Sequence, residues 1–124
     1  MATTIHTDAA PAAIGPYSQA IVSGSLVFTS GQIAINPQSG EVEATTIEAQ
    51  TEQVMKNLGE VLKAAGSSYD KAIKTTCFLQ NMSDFAAFNA IYGKYFTGKP
   101  ARSCVAAAAL PKGVLVEVEV IAEV

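Results

Sequence analysis

Near its end the chain reads "GVLVEVEVIAEV", in which Val116, Val118 and Val120 alternate with Glu117 and Glu119. Side chains alternate across a strand, so a regular strand here puts three valines on one face and both carboxylates on the other. The apolar face has to be buried against another layer. A second apolar strand starts near Arg102, with "LPKG" as the turn between the two. The chain therefore closes on sheet, and what precedes must supply the cover.

Two helical patterns meet that need. Thr45 with Glu48 three residues later fits a capping box, and Ile47, Val54, Met55, Leu58, Val61 and Leu62 keep helical spacing up to Gly66. A second helix is expected from Ser83 or Asp84, with Phe85, Phe88, Tyr92, Tyr95 and Phe96 as an aromatic stripe. On a helix such a stripe reads as core packing; RNA-binding sheets carry their stacking aromatics on strands.

The remaining segments are sheet and turn. Pro11, Gly15 and Pro16 make residues 1–16 read as irregular, and "YSQAIVSGSLVFTSGQIAI" reads as a hairpin broken at "SGS". A turn through Asn36, Pro37, Ser39 and Gly40 follows. Residues 70–80 form a strand with Ile73, Thr75, Cys77 and Leu79 on one face. The order predicts one α+β domain over residues 1–124, with both helices on one side of a single sheet. The other side needs its own cover, which a partner subunit would provide. The run Ala106 to Ala109 leaves helix over residues 103–109 open as an alternative.

Composition narrows the function. With 49% of residues apolar and 15% charged, the chain is expected to hide part of its surface in an oligomer. The formal net charge is -3 and the lysines are scattered singly, without the basic stripe that nucleic acid requires. Two cysteines in unrelated contexts and a single histidine, His6, argue against a protein-built metal site. No signal-type start and no run of membrane-spanning length is present, so a cytoplasmic protein without membrane contact is expected. Neither a phosphate-binding glycine loop nor a nucleophile elbow occurs, which leaves out dinucleotide enzymes and conventional hydrolases.

Arg102 is the only arginine. It reads either as a bidentate clamp on a substrate carboxylate or as a structural ion pair, between subunits or with Glu117 or Glu119. Its entry into an otherwise uncharged run favours burial with a specific partner. Glu117 reads as a half-buried base with raised proton affinity, or as a charge keeping an edge strand soluble. If the last two strands form a simple hairpin, Glu117 falls opposite Ala106, roughly 13 Å along the strand from Arg102. Either the strands are paired otherwise, or two subunits supply the two groups. Cys104 shares strand parity with Arg102, but no histidine is placed to activate it, and it reads more as a small hydrophobe than a nucleophile. Cys77 reads as core. Tyr17 could cap a pocket, and Ser30 and Gly31 could let a ligand approach the backbone; turn chemistry is the other reading of all three.

The blocks "GPYSQA", "FTSGQIA", "FLQNMSDFAAFNAIYGKYF", "PARSCV" and "LPKGVLVEVEVIA" occur in this order. From about residue 5 to 123 the chain resembles the reactive intermediate imine/enamine deaminase family, RidA or YjgF-like. The resemblance implies a chorismate-mutase-like α+β fold: a single mixed sheet with two helices on one face, assembled as a homotrimer with a central β-barrel and active-site clefts between subunits. It implies hydrolysis of small 2-imino acids such as 2-iminobutanoate and 2-iminopropanoate, or their enamine tautomers, to 2-keto acids and ammonia with no cofactor. Arg102 would hold the substrate carboxylate and Glu117 would position or activate water. Tyr17, Ser30 and Gly31 would shape the cleft, Ser103 and Cys104 would line it without forming an adduct, and Asn89 would sit nearby. "YFTGKPARS" is shorter than in several relatives and "CVAAAALP" is blander, which bears on substrate preference. The alternative is a non-catalytic trimeric binding or holdase-type protein using the same clefts. Ribonuclease activity and translational inhibition, also linked to the family, are disfavoured by the missing basic patch.

Overall fold

The computed structural model describes residues 2–124. Its strands are β1 (Thr3–Ile5), β2 (Ala20–Ser23), β3 (Leu26–Thr29), β4 (Ala72–Leu79), β5 (Ala101–Ala106) and β6 (Val116–Glu123); its helices are α1 (Ile47–Ala64) and α2 (Phe85–Tyr95). The six strands form one sheet in the order β1-β2-β3-β6-β4-β5. Every neighbouring pair is antiparallel except β4 and β5, so the sheet is mixed. The α+β class, with a mixed sheet and two helices, is as expected. No helix among the described residues is long and apolar enough to cross a membrane.

β6 sits in the middle because of its alternation. Val116, Val118, Val120 and Ala122 are buried in the same core as Val54, Leu58, Val61 and Leu62 of α1 and Phe88 and Tyr92 of α2. Glu117 and Glu119 point to the other face, Glu117 half-buried and Glu119 exposed. That second face carries no layer of this chain. It leaves Phe28 of the interior strand β3 42% exposed and Val105 of the terminal strand β5 48% exposed, apolar side chains that no other part of the chain covers fully.

Several expectations need correction. The simple hairpin of the last two strands does not form: β4 lies between β5 and β6, pairing antiparallel with β6 and parallel with β5. An eight-residue strand with four buried positions needs cover from α1, which only an interior place in the sheet gives. β5 has six residues and no fully buried one, and it forms an edge. The helical alternative for residues 103–109 is absent: the chain is strand to Ala106 and then irregular until the 3-10 turn Pro111–Gly113. Residues 3–5, expected to be irregular, pair with β2. Ile73 is 43% exposed instead of sharing the face of Thr75, because a bulge between Ala72 and Lys74 inserts a residue and resets the alternation.

The start of α1 is also one residue later than the capping box predicted. Thr46 caps it, its hydroxyl accepting from the Ala49 amide at 3.1 Å, which leaves Glu48 off the reciprocal position. The end falls as expected. Gly66 adopts φ 81°, the Ser67 amide bonds the Leu62 carbonyl and the Gly66 amide that of Lys63, a Schellman closure.

The cap assignment is testable. Thr46→Ala should lower unfolding stability by about 1 kcal/mol, while Thr45→Ala should stay within about 0.5 kcal/mol of wild type. Urea unfolding of the two variants side by side measures this; a larger loss in Thr45→Ala would restore the capping box.

Candidate active site

Two cavities collect most of the residues singled out in the sequence. The first, about 380 Å³, is lined by Tyr17, Gln19, Ser30, Gly31, Lys112 and Glu117, with Ile14, Ile33 and Ile35 among the apolar remainder. Glu117 arrives from β6 because its register turns it away from the valine core. Gly31 follows β3 just where the Gln32 amide bonds the Val118 carbonyl at 2.8 Å, drawing that backbone against β6. A Cβ at residue 31 would overlap the Glu117 carboxylate, so the carboxylate lies on bare backbone. Burial, and secondarily the like charge of Glu119, raise the Glu117 pKa above its ordinary value.

Ser30 and Tyr17 frame this carboxylate. The Ser30 hydroxyl donates to the Ser18 carbonyl at 2.6 Å, which commits its proton and leaves its lone pairs to accept from a ligand. Tyr17 is 53% exposed at the rim. The aliphatic wall and the few convergent polar groups make a site suited to a small, partly apolar molecule.

Arg102 lies in the second cavity, about 450 Å³, with Asn89, Tyr92, Phe96, Thr97 and Lys99. It projects from β5 toward α2. Its guanidinium donates to Asn89 Oδ1 and lies 4.8 Å from the ring centroid of Tyr92 and 5.3 Å from that of Phe85. Tyr92 is itself fixed, its hydroxyl 2.7 Å from that of buried Thr75. Two aromatic rings and one amide thus orient a planar cation while part of its donor set stays available. Among the described residues no carboxylate pairs with it, so the alternative reading of a structural ion pair with Glu117 or Glu119 does not hold within one chain.

One chain does not bring Arg102 and Glu117 together. Arg102 pairs in register with Thr75, which pairs with Val120; Glu117 pairs with Phe78, which pairs with Val105. The two residues are therefore two strands apart, three positions out of step and on opposite faces of the sheet. The distance problem read from the sequence persists in a different geometry.

Ser103 and Cys104 line neither cavity. Ser103 turns to the face opposite Arg102, where its hydroxyl accepts from Lys74 Nζ at 3.2 Å. Cys104 shares the Arg102 face and lies in register with buried Cys77; both thiols are free. Burial pushes the Cys104 pKa up, the Arg102 charge offsetting this only in part, so the group is a thiol near neutral pH and offers no nucleophilic thiolate. Cys77, pushed up to about 12 by burial, is core as expected. His6 is exposed and bonded to Asp8, remote in role from both cavities. Among the described residues no cluster of three or more His, Cys, Asp or Glu could hold a metal.

Gln19 and Lys112 are cavity residues that sequence reasoning passed over. Gln19 stood inside "GPYSQA" with nothing to separate it from its neighbours, and Lys112 was absorbed into the "LPKG" turn. Its φ of 56°, unusual for a residue with a Cβ, becomes visible only in three dimensions.

Comparison with known proteins agrees with this fold. The family model described as Endoribonuclease L-PSP matches residues 7–124. AldR of Lactococcus lactis, which carries a regulator's name, is 58% identical over 97% of this chain and 96% of its own. The mouse 2-iminobutanoate/2-iminopropanoate deaminase is 47% identical over 95% of this chain and 88% of its own. The crystal structure of E. coli TdcF with bound serine superposes with a TM-score of 0.93 at 42% identity, covering 98% of both chains. The chain accordingly belongs to the Endoribonuclease L-PSP family, the RidA/YjgF proteins that its sequence blocks resemble.

Proposed function

We propose that this protein is a deaminase that hydrolyses small 2-imino acids, or their enamine tautomers, to 2-keto acids and ammonia. The observation that carries this reading is the Glu117 carboxylate held on bare backbone in a small, mostly apolar cavity, its proton affinity raised by burial. Such a group is a usable base near neutral pH. The mouse relative is named for this activity, and serine in the E. coli relative has the carboxylate and C2 nitrogen of a 2-imino acid.

The active site is completed between copies of the chain. Arg102 and Glu117 face opposite sides of one sheet, and the side bearing Glu117 is uncovered and partly apolar. A homotrimer packing these faces into a central barrel, as the sequence resemblance implies, would set the Glu117 cavity of one copy against the Arg102 cavity of the next. Ser103 and Cys104 then lie at the margin of that cleft.

In the assembled cleft Arg102 binds the substrate carboxylate, oriented by Asn89, Phe85 and Tyr92. C2 of the protonated imine is already electrophilic, so positioning and proton transfer suffice and no cofactor is invoked. Glu117 takes a proton from water as its oxygen bonds to C2, giving a carbinolamine. It returns that proton to the nitrogen, then takes the hydroxyl proton as the C–N bond breaks, and the departing ammonia carries this last proton away as ammonium, restoring the carboxylate. Ser30 accepts a hydrogen bond from the nitrogen, and Tyr17 closes the rim.

A ribonuclease reading has less support. Acid–base cleavage of RNA by two imidazoles cannot be built from one exposed histidine, and a chain of net charge -3 with singly scattered lysines lacks a phosphate track.

The direct test generates 2-iminobutanoate in place from threonine with a dehydratase and follows 2-ketobutanoate. Wild type should accelerate release, and Arg102→Ala should abolish the acceleration while leaving the oligomer intact; no acceleration by wild type would replace the deaminase with a non-catalytic binding protein. Glu117→Gln should lower kcat by roughly 10²- to 10⁴-fold. In wild type the ionised base is active, so kcat/KM should fall as pH drops through the Glu117 pKa. Because burial raises that pKa, the fall should come at higher pH than for an exposed carboxylate, and Glu117→Gln should lack it. Gly31→Ala displaces the flexible carboxylate rather than the backbone, so it should lose activity nearly as fully as Glu117→Gln with the fold preserved. Wild-type turnover in Gly31→Ala would show that the observed pose of Glu117 is not the working one.

A further inference from the structure

We infer that Gln19 is a positioning residue that holds one wall of the substrate cavity and thereby sets substrate affinity. Gln19 is 2% exposed, one of the few buried polar side chains of the sheet layer. Its amide is fully engaged with a single segment. Oε1 accepts from the Thr7 amide at 2.7 Å, and Nε2 donates to the carbonyls of Thr7 at 2.9 Å, Pro11 at 2.8 Å and, more weakly, Ala10 at 3.4 Å. All of these partners are backbone groups of residues 7–11.

Beyond β1 the segment's other anchors are the Ala10 methyl, buried in the core, and the Ser18 carbonyl, which accepts from the Ser30 hydroxyl. Residues 6–19 form no helix or strand, and Pro11, Ala12, Ile14 and Tyr17 on it line the cavity opposite Gly31 and Glu117. Ile14 is 76% exposed and Tyr17 53%, so side-chain burial contributes little to fixing that wall. The Gln19 carbonyl also accepts from the Ser30 amide at 2.9 Å. One residue therefore links this wall, through its side chain, to the strand end that carries Ser30 and Gly31, through its backbone. It touches neither the water nor the imine in the proposed reaction; its effect passes through the wall. A disordered wall would have to be ordered at each binding event, which weakens binding without altering the chemistry that follows.

This inference deepens the deaminase reading, and its test separates the two. Gln19→Glu keeps size and the bond from the Thr7 amide but faces three carbonyls with a carboxylate; Gln19→Met keeps the volume, places no charge in the interior and removes every side-chain hydrogen bond while leaving the backbone bond from the Ser30 amide. In the coupled assay both should raise KM roughly tenfold or more, with kcat within about threefold of wild type. In Gln19→Met, hydrogen exchange without substrate should show lost protection at the Thr7 and Ala9 amides, the bonded amides of residues 7–12, while α1 and β6 keep theirs. Unchanged KM, or a fall in kcat at constant KM, in the folded Gln19→Met variant would overturn the assignment, as would undiminished protection of residues 7–12. If wild type shows no turnover the deaminase reading falls, and the exchange measurement still decides whether Gln19 holds the wall.

Discussion

The packing of Val116, Val118 and Val120 under α1 is the contact on which the remaining geometry depends. It buries one face of β6, which forces the strand into the interior of the sheet between β3 and β4. The alternate face then has to present Glu117, and it does so beside the chain that leaves β3 at Ser30 and Gly31. Burial of three valine side chains stabilises this arrangement by several kcal/mol, at roughly 1.5–3 kcal/mol each. A carboxylate is thereby kept half out of water on a rigid strand, by packing energy that comes from the opposite face.

Arg102 is held by different means. It sits on an edge strand, where packing is thinner, and its orientation comes from α2: an amide oxygen that accepts from Nη1 and two rings beside it. The Thr75–Tyr92 hydroxyl pair anchors the nearer ring in the core. A lysine could keep the charge at this position but could not stack or fork in the same way, so shape contributes here as well as charge. Glu117 is fixed by the sheet and Arg102 by a helix, and the strands that carry them, β6 and β5, flank β4 on opposite sides.

Much of this was legible in the residues themselves. The Val/Glu alternation identified β6 and both of its faces, helical spacing identified α1 and α2, and an unpaired arginine type in an apolar run marked Arg102. What was not legible depends on long-range order. Strand parity within β5 and within β6 was read correctly, yet whether Arg102 and Glu117 share a face depends on the strand placed between them, and no local pattern announces β4 there. The cap at Thr46 instead of Thr45 turns on one backbone dihedral, and the Ile73 bulge on a mismatch between two strands far apart in sequence. Gln19 was hidden for a related reason: its partners are backbone atoms, which leave no side-chain signature.

The outer border of β5 has a consequence of its own. Ala101–Ala106 ends the sheet, so on one side its amides and carbonyls have no strand beside them, and its side chains include one charge and no proline. Natural edge strands are usually guarded by lysines, prolines or a covering loop, because a bare edge templates indiscriminate pairing with other chains. This edge has little such protection beyond Arg102, whose charge is turned toward α2. A chain that covered this border would therefore also guard against aggregation, and if the proposed cleft forms there, solubility and activity place their demands on the same six residues.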